Sequence, residues 1–119
     1  MKILITGGTG YIGSHTALAF LNAGYEVSII DNLSNSSKSV IEKIETLSLK
    51  KIGFFKINLA EKNLVNKFFA NHKIDGVIHF AGLKAVSESV ENPLAYFQNN
   101  ISGTINLLSA MRQNSIKKL

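Results

Sequence analysis

A chain of 119 residues, of which 45% are hydrophobic and 18% charged, has the composition of one globular domain and is too short for two domains of ordinary size. Its net charge of +5 comes from thirteen scattered lysine and arginine residues, and the lack of a basic tract argues against nucleic acid as a partner. It has no cysteine, which excludes disulfides and thiolate metal sites, and no apolar run approaches the roughly 18 residues that a membrane helix needs.

Short apolar strands alternate with amphipathic helices along the chain. Lys2–Thr6 is an apolar, β-branched run that ends at glycines, which is typical of a strand buried on both faces. A helix is predicted next, from Tyr11 to Ala23, with Gly24 as its carboxyl-terminal stop. The further predicted elements are a strand over 27–30 that ends at Asp31, a helix over 40–49, a strand over 52–57, a helix centred on 64–69 and a strand over 76–80.

A long final helix is predicted to follow. It begins at Pro93, because proline suits the first helical position, and runs to about Arg112. Lys117–Leu119 is predicted to start a fifth strand. Strands that alternate with helices favour right-handed βαβ units, so the predicted fold class is α/β, a Rossmann-like doubly wound parallel sheet with strand order 3-2-1-4 that is incomplete at strand five.

A glycine-rich loop joins the first strand to the first helix. Gly7, Gly10 and Gly13 have the spacing GxxGxxG, which in this context indicates a dinucleotide-binding turn. Gly7 permits the tight turn, Gly10 lets the backbone approach a pyrophosphate, and Gly13 lets the helix pack close to the sheet. The amides of Tyr11 and Ile12, at the positive end of the helix, are predicted to face the pyrophosphate. A glycine turn without a ligand is the alternative.

Asp31 decides which dinucleotide is expected. It ends the second strand 18 residues after Gly13, close to the spacing of about 20 in dinucleotide-binding folds. A carboxylate there accepts hydrogen bonds from the ribose hydroxyls of the adenosine and repels a 2′-phosphate. The sequence therefore predicts NAD rather than NADP as the cofactor.

Residues that follow the strands are expected to line the site, because open α/β sheets bind ligands at the carboxyl ends of their strands. His79 belongs to the fourth strand and is expected to be a hydrogen-bonded structural residue, with a catalytic base as the alternative. The residues predicted to line the site after strands two, three and four are Asp31, Asn32, Leu33, Ser34, Asn35, Ser36, Asn58, Leu59, Phe80, Ala81, Gly82, Leu83 and Lys84.

Three longer runs carry a resemblance to a known family. They are TGGTGYIGSH at 6–15, DNLSNS at 31–36 and HFAGLKAVSESVENPL at 79–94, with NN following at 99–100. Together they resemble the UDP-glucose 4-epimerase family, in the extended short-chain dehydrogenase/reductase group, over essentially the whole chain. The run at 79–94 is the specific part, because related sugar-nucleotide dehydratases share the glycine loop but differ after strand four.

The resemblance implies tightly bound NAD that takes a hydride from C4 of the sugar and returns it to the other face, with UDP-glucose and UDP-galactose as substrates. It adds Asn99 to the cofactor contacts and places Lys84 near the pyrophosphate, where its ammonium neutralises charge; a solvated surface lysine is the alternative. The family usually has aspartate at position 58. Asn58 keeps a carbonyl acceptor but loses the charge, so slightly weaker adenine binding is expected.

No catalytic residue is identified in the chain. The family's chemistry uses a tyrosine with a lysine four residues on, whereas Tyr11, Tyr25 and Tyr96 have histidine, isoleucine and asparagine there. Residues 1–119 are thus expected to form the amino-terminal part of an NAD-binding Rossmann domain without the substrate domain, inactive by itself. Two alternatives stay open: another extended short-chain sugar-nucleotide epimerase or dehydratase, and a non-catalytic NAD-binding module.

The final helix has more apolar surface than one sheet face needs. The resemblance implies a homodimer through the helix at about 93–112, and self-association or poor solubility of the chain is expected. The amino terminus lacks the features of a signal peptide, so a cytoplasmic protein with no membrane partner is expected, and the dispersed histidines predict no metal site. The apolar stripe comprises Leu94, Phe97, Ile101, Ile105 and Leu108.

Overall fold

A four-stranded parallel sheet forms the centre of the protein in the computed structural model, which describes residues 1–119. The strand order is β3-β2-β1-β4, as predicted. Ile5 in the central strand pairs with Ile29 on one side and Ile78 on the other, so both neighbours run parallel to it. The strands are β1 (Lys2–Thr6), β2 (Glu26–Asp31), β3 (Gly53–Lys56) and β4 (Gly76–His79).

Helices connect the strands and extend beyond the last one. The predicted helices are present with ends shifted by one or two residues, a normal variation at helix ends. None of them has the length and hydrophobicity needed to cross a bilayer. The helices are α1 (Tyr11–Asn22), α2 (Ser39–Ser48), α3 (Lys62–Asn71), α4 (Val86–Glu91), α5 (Pro93–Tyr96) and α6 (Gly103–Gln113).

The final helix differs from the single regular helix that the sequence predicts. Pro93 does occupy its first turn, and the Asn92 carbonyl Oδ1 caps it by accepting the Ala95 N–H at 3.3 Å. Between α5 and α6, however, Phe97–Ser102 is a π-helical segment with a wider turn. Helix propensity gives no signal for such a turn. The turn coincides with hydrogen bonds between Asn100 and the loop after β4.

The core has one cluster on each face of the sheet. Along β1, Leu4 packs on the face covered by α3 and α6, whereas Ile3 and Ile5 pack on the face covered by α1 and α2. This alternation follows from the two-residue repeat of a strand. Because both faces are covered, the strands are almost wholly apolar, and the carboxyl edge of the sheet is left as the place for polar groups.

The last six residues are not a strand, although pairing begins there. The Val77 N–H in β4 donates to the Lys118 carbonyl at 3.0 Å. This contact lies at the free edge of β4, where the sequence places the start of a fifth strand. The fifth strand itself stays a prediction.

Candidate cofactor-binding site

The glycine loop between β1 and α1 is shaped by backbone contacts that leave no room for side chains. Gly7 has a φ of +68°, and a Cβ there would lie 2.6 Å from the Ala81 amide nitrogen. A Cβ at Gly13 would overlap the Gly7 carbonyl. Only glycine fits these two positions, because one needs a left-handed backbone and the other a close helix-to-loop approach.

The amino end of α1 begins directly at this loop. The first hydrogen bond of the helix runs from the Ser14 N–H to the Gly10 carbonyl at 2.9 Å, so the Tyr11 and Ile12 N–H groups have no acceptor in the helix. Their side chains are exposed, to 83% and 52%. Backbone donors at a positive helix end are suited to an anion such as a pyrophosphate.

Asp31, at the end of β2, is held between two loops. Its Oδ2 accepts the Thr9 N–H at 3.1 Å and its Oδ1 accepts the Leu33 N–H at 2.9 Å, while only 9% of the residue is exposed. The Thr9 hydroxyl also lies 2.6 Å from the Ser36 hydroxyl, which ties the glycine loop to the loop after β2. The carboxylate therefore has a fixed orientation, with lone pairs left to accept hydroxyl groups.

The loop after β3 is ordered by Asn58. Its Oδ1 accepts the Ala60 N–H at 3.0 Å in a short side-chain turn. The other atom of the amide, its nitrogen, is a donor, where a carboxylate at this position would offer a second acceptor oxygen. Leu59 beside it is buried.

A hydrogen-bond chain anchors the loop after β4. The Thr104 hydroxyl donates to the Asn100 carbonyl at 2.6 Å, so it accepts from His79 Nε2 at 2.9 Å. His79 Nδ1 in turn accepts the Thr6 hydroxyl at 2.6 Å, and the Thr6 oxygen accepts the Ala81 N–H at 3.3 Å. Burial lowers the pKa of the His79 imidazole below its ordinary value, and the ring has the contacts of a structural residue.

These loops enclose one cleft of about 640 Å³, including its open mouth, at the carboxyl edge of the sheet. Five of the predicted site residues do not line it: Tyr11, Ile12, Gly13, Leu33 and Lys84. Lys84 is exposed, and the Leu33 backbone N–H donates to Asp31. The predicted residues that line it are Gly7, Gly10, Asp31, Asn32, Ser34, Asn35, Ser36, Asn58, Leu59, Phe80, Ala81, Gly82, Leu83 and Asn99.

Sequence reasoning missed Ile30 and Ile57, which also line the cleft, and Thr9, which orients the carboxylate. Ile30 and Ile57 are read from the sequence only as strand residues. They reach the cleft because the chain turns into its loops directly beside them. The position of Thr9 inside the glycine run was the one available signal for its role.

The sequence matches a known family. Residues 4–119 match the family model described as GDP-mannose 4,6 dehydratase. The chain belongs to this family. The relatives that the chain matches carry a different name. It is 51% identical to the UDP-glucose 4-epimerase of Schizosaccharomyces pombe over 115 residues, which are 97% of this chain and 32% of that relative.

A second relative gives the same result. The UDP-glucose 4-epimerase of Bacillus subtilis is 48% identical over 119 residues, which are 100% of this chain and 35% of that relative. The predicted resemblance to UDP-glucose 4-epimerases is confirmed. This member of the GDP-mannose 4,6-dehydratase family spans about a third of the length of these two curated relatives.

A solved structure confirms the predicted fold. The UDP-glucose 4-epimerase of Bifidobacterium longum in complex with NAD+ and UDP matches with a TM-score of 0.95 and 41% identity, over 98% of this chain and 35% of that one. Epimerases with bound NAD thus recur among the structures that this fold matches. The Rossmann-like sheet with order 3-2-1-4 is the fold of this family member.

Proposed function

We propose that this chain forms the NAD-binding portion of a UDP-glucose 4-epimerase that interconverts UDP-glucose and UDP-galactose. The fixed carboxylate of Asp31 in the cleft carries the proposal, because it offers acceptors for a ribose close to the glycine loop, after which the first N–H groups of α1 are left as donors for a pyrophosphate. The names of the relatives support the substrate. When bound, NAD supplies a reversible acceptor of the hydride at C4 of the sugar.

The predicted cofactor contacts fit NAD in three parts. Asp31 and the loop after it hold the adenosine ribose, with Asn58 and Leu59 beside the adenine. Gly10 and the Tyr11 and Ile12 amides hold the pyrophosphate, with Lys84 near its charge. The remaining predicted contacts, on the nicotinamide side, are Phe80, Ala81, Gly82, Leu83 and Asn99.

The chain by itself supplies binding rather than the proton-transfer chemistry. None of its tyrosines has the lysine partner that the family's reaction uses. Residues 1–119 are proposed as the amino-terminal part of an NAD-binding domain, and the isolated chain is expected not to epimerise UDP-galactose. Appearance of UDP-glucose from UDP-galactose and NAD on the isolated chain contradicts this part of the proposal.

NAD and NADP titrations test the cofactor assignment. The chain is expected to bind NAD, followed by calorimetry, and to bind NADP at least about tenfold more weakly, because a charged hydrogen bond contributes about 1.5–3 kcal/mol. Asp31→Asn keeps one acceptor oxygen and removes the charge, so we expect weaker NAD binding and a smaller difference between the two cofactors.

Glu42→Gln is the matched control, since it removes one exposed carboxylate from α2, away from the cleft. It should leave both affinities as they are in the parent chain. Equal binding of NAD and NADP by the parent chain, or an unchanged ratio in Asp31→Asn, contradicts the assignment.

The proposal extends to a homodimer through the final helix. All five residues of the apolar stripe are between 44% and 77% exposed, whereas Leu107, Ala110 and Met111 on the other side of the helix are buried. The helix thus uses one side for its own core and leaves a second apolar side uncovered. A contiguous exposed apolar surface of this kind is typical of an interface.

A further inference from the structure

Two asparagines of the final helix hold the loops of the cleft without lining it. Asn100, in the π-helical segment, accepts the Leu83 N–H at 2.8 Å and donates to the Leu83 carbonyl at 2.9 Å. These bonds satisfy both backbone groups of Leu83, as a neighbouring strand would. Asn99, the residue before it, donates to Asn100 at 2.9 Å and lines the cleft itself.

Asn106, in α6, holds the other loop. Its Nδ2 donates to the Leu59 carbonyl at 2.9 Å and to the Ala60 carbonyl at 3.2 Å. Gly103 brings the helix close enough for this contact, because a Cβ there would lie 3.2 Å from the Leu59 Cβ. Gly103 therefore permits the close approach of the helix to a loop of the same chain.

The two loops lie on opposite sides of the glycine loop. The strand order β3-β2-β1-β4 places the Leu59 loop, after β3, beyond Asp31, and the Leu83 loop, after β4, on the far side of β1. With the adenosine ribose at Asp31 and the pyrophosphate at the glycine loop, adenine extends toward β3. The nicotinamide half extends toward β4.

We infer that Asn100 and Asn106 are positioning residues, Asn100 for the loop that meets the nicotinamide half and Asn106 for the loop that meets the adenine half. This inference rests on the proposed NAD-binding function. One helical segment therefore sets the placement of both loops. Both Asn99, at the cleft, and Asn100, at the loop, lie in the π-helical turn.

Two ligands separate the two roles. ADP contains adenine, ribose and pyrophosphate, whereas NAD adds the nicotinamide ribose and ring. In Asn100→Leu, a neutral change of similar size, we expect the Kd for NAD to rise about tenfold through the loss of the two hydrogen bonds to Leu83 and the one from Asn99, and the Kd for ADP to change less than about twofold. In Asn106→Leu, the Kd values for NAD and ADP should rise together by about the same factor.

Asn114→Leu is the control. Asn114 lies at the end of the same helix and donates only to the Ala110 carbonyl of its own helix, at 2.9 Å. Both Kd values should stay within about twofold of the parent. Equal weakening of NAD and ADP in Asn100→Leu, or no weakening of either in both variants, overturns the inference, since a general loss of stability moves both ligands alike.

Amide exchange measures the loops without any ligand. The Leu83 N–H should exchange at least about tenfold faster in Asn100→Leu and at the parent rate in Asn106→Leu. If Asn100→Leu does not fold, Asn100→Asp keeps an acceptor for the Leu83 N–H and loses the donor, and it should still separate NAD from ADP. A parent chain that binds neither nucleotide refutes the proposed function, and unchanged Leu83 exchange in Asn100→Leu refutes the positioning.

Discussion

Single polar residues of the cleft serve the fold and the ligand at the same time. Asp31 uses one lone pair of each oxygen for a backbone amide and keeps the others for a ligand. Asn58 uses its only carbonyl oxygen for the Ala60 amide. Asn58 thus has one acceptor oxygen for both the turn and a ligand, whereas a carboxylate at position 58 would have two.

Asn58→Asp is predicted to tighten NAD binding. The new carboxylate keeps the turn to Ala60 with one oxygen and offers the second as an acceptor to the adenine amino group. A gain of one hydrogen bond corresponds to roughly 0.5–1.5 kcal/mol, or about two- to tenfold in Kd by calorimetry. ADP should gain as much as NAD, and an unchanged or weaker affinity contradicts the role of residue 58.

His79 is predicted to make stability fall in mild acid. Its pKa in the folded chain is lowered by burial, so below about pH 6.5 the unfolded chain binds a proton more readily and the free energy of unfolding drops. The contribution is fully present above pH 6.5 and is lost as the pH falls, by at most about 1.4 kcal/mol per pH unit.

Denaturant unfolding of the chain and of His79→Gln between pH 5 and 7.5 measures this effect. The free energy of unfolding of the variant should change less with pH than that of the parent, whatever its value at pH 7.5. His15→Gln, which changes an exposed histidine in α1, should keep the slope of the parent. A parallel shift of the whole curve in His79→Gln would mean that the ring is not the titrating group.

At the scale of elements, the glycine loop combines two separate demands. Gly13 is needed for packing of α1 on the loop, whereas Gly10 borders the cleft and has an ordinary extended backbone with φ of −72°. One glycine thus serves the fold and the other the ligand. The spacing of the glycines in the motif does not reveal this division. It becomes visible only from the atoms that a Cβ added at each position would meet.

Gly13→Ala is predicted to lower the free energy of unfolding by about 1–3 kcal/mol, the usual cost of overpacking against backbone. Gly10→Ala should unfold close to the parent temperature, because its Cβ would meet only the Gly7 carbonyl, at 3.3 Å. It should nevertheless weaken NAD binding, since the methyl group enters the cleft. Thermal unfolding and calorimetry on both variants check the division, and equal stability of the two variants contradicts it.

At the scale of the whole molecule, the exposed apolar stripe of the final helix is predicted to mediate self-association. Ile101→Glu or Ile105→Glu places a charge in the contact, which should weaken the dimer at least about tenfold in sedimentation velocity. Leu47→Glu is the control, because Leu47 is 69% exposed on α2, on the opposite face of the sheet. A parent chain that sediments as a monomer at high concentration contradicts the proposed interface.

The sequence by itself determined the strand order, the glycine loop, Asp31 and most of the residues that line the cleft. These features depend on local patterns: the period of apolar residues, the spacing of glycines and the rule that loops at the carboxyl ends of parallel strands meet. The apolar stripe of the final helix is a local pattern too, and its five residues are exposed in the structure.

Only the tertiary structure decided how those loops are held. Asn100 reaches Leu83 across 17 residues, Asn106 reaches Leu59 across 47, and Thr6 reaches His79 across 73. No local pattern encodes such pairs, because asparagine and threonine also occur on solvated helix faces and in loops. The π-helical turn at Phe97–Ser102 contains one of these residues, Asn100, and no local pattern of the sequence predicts it either.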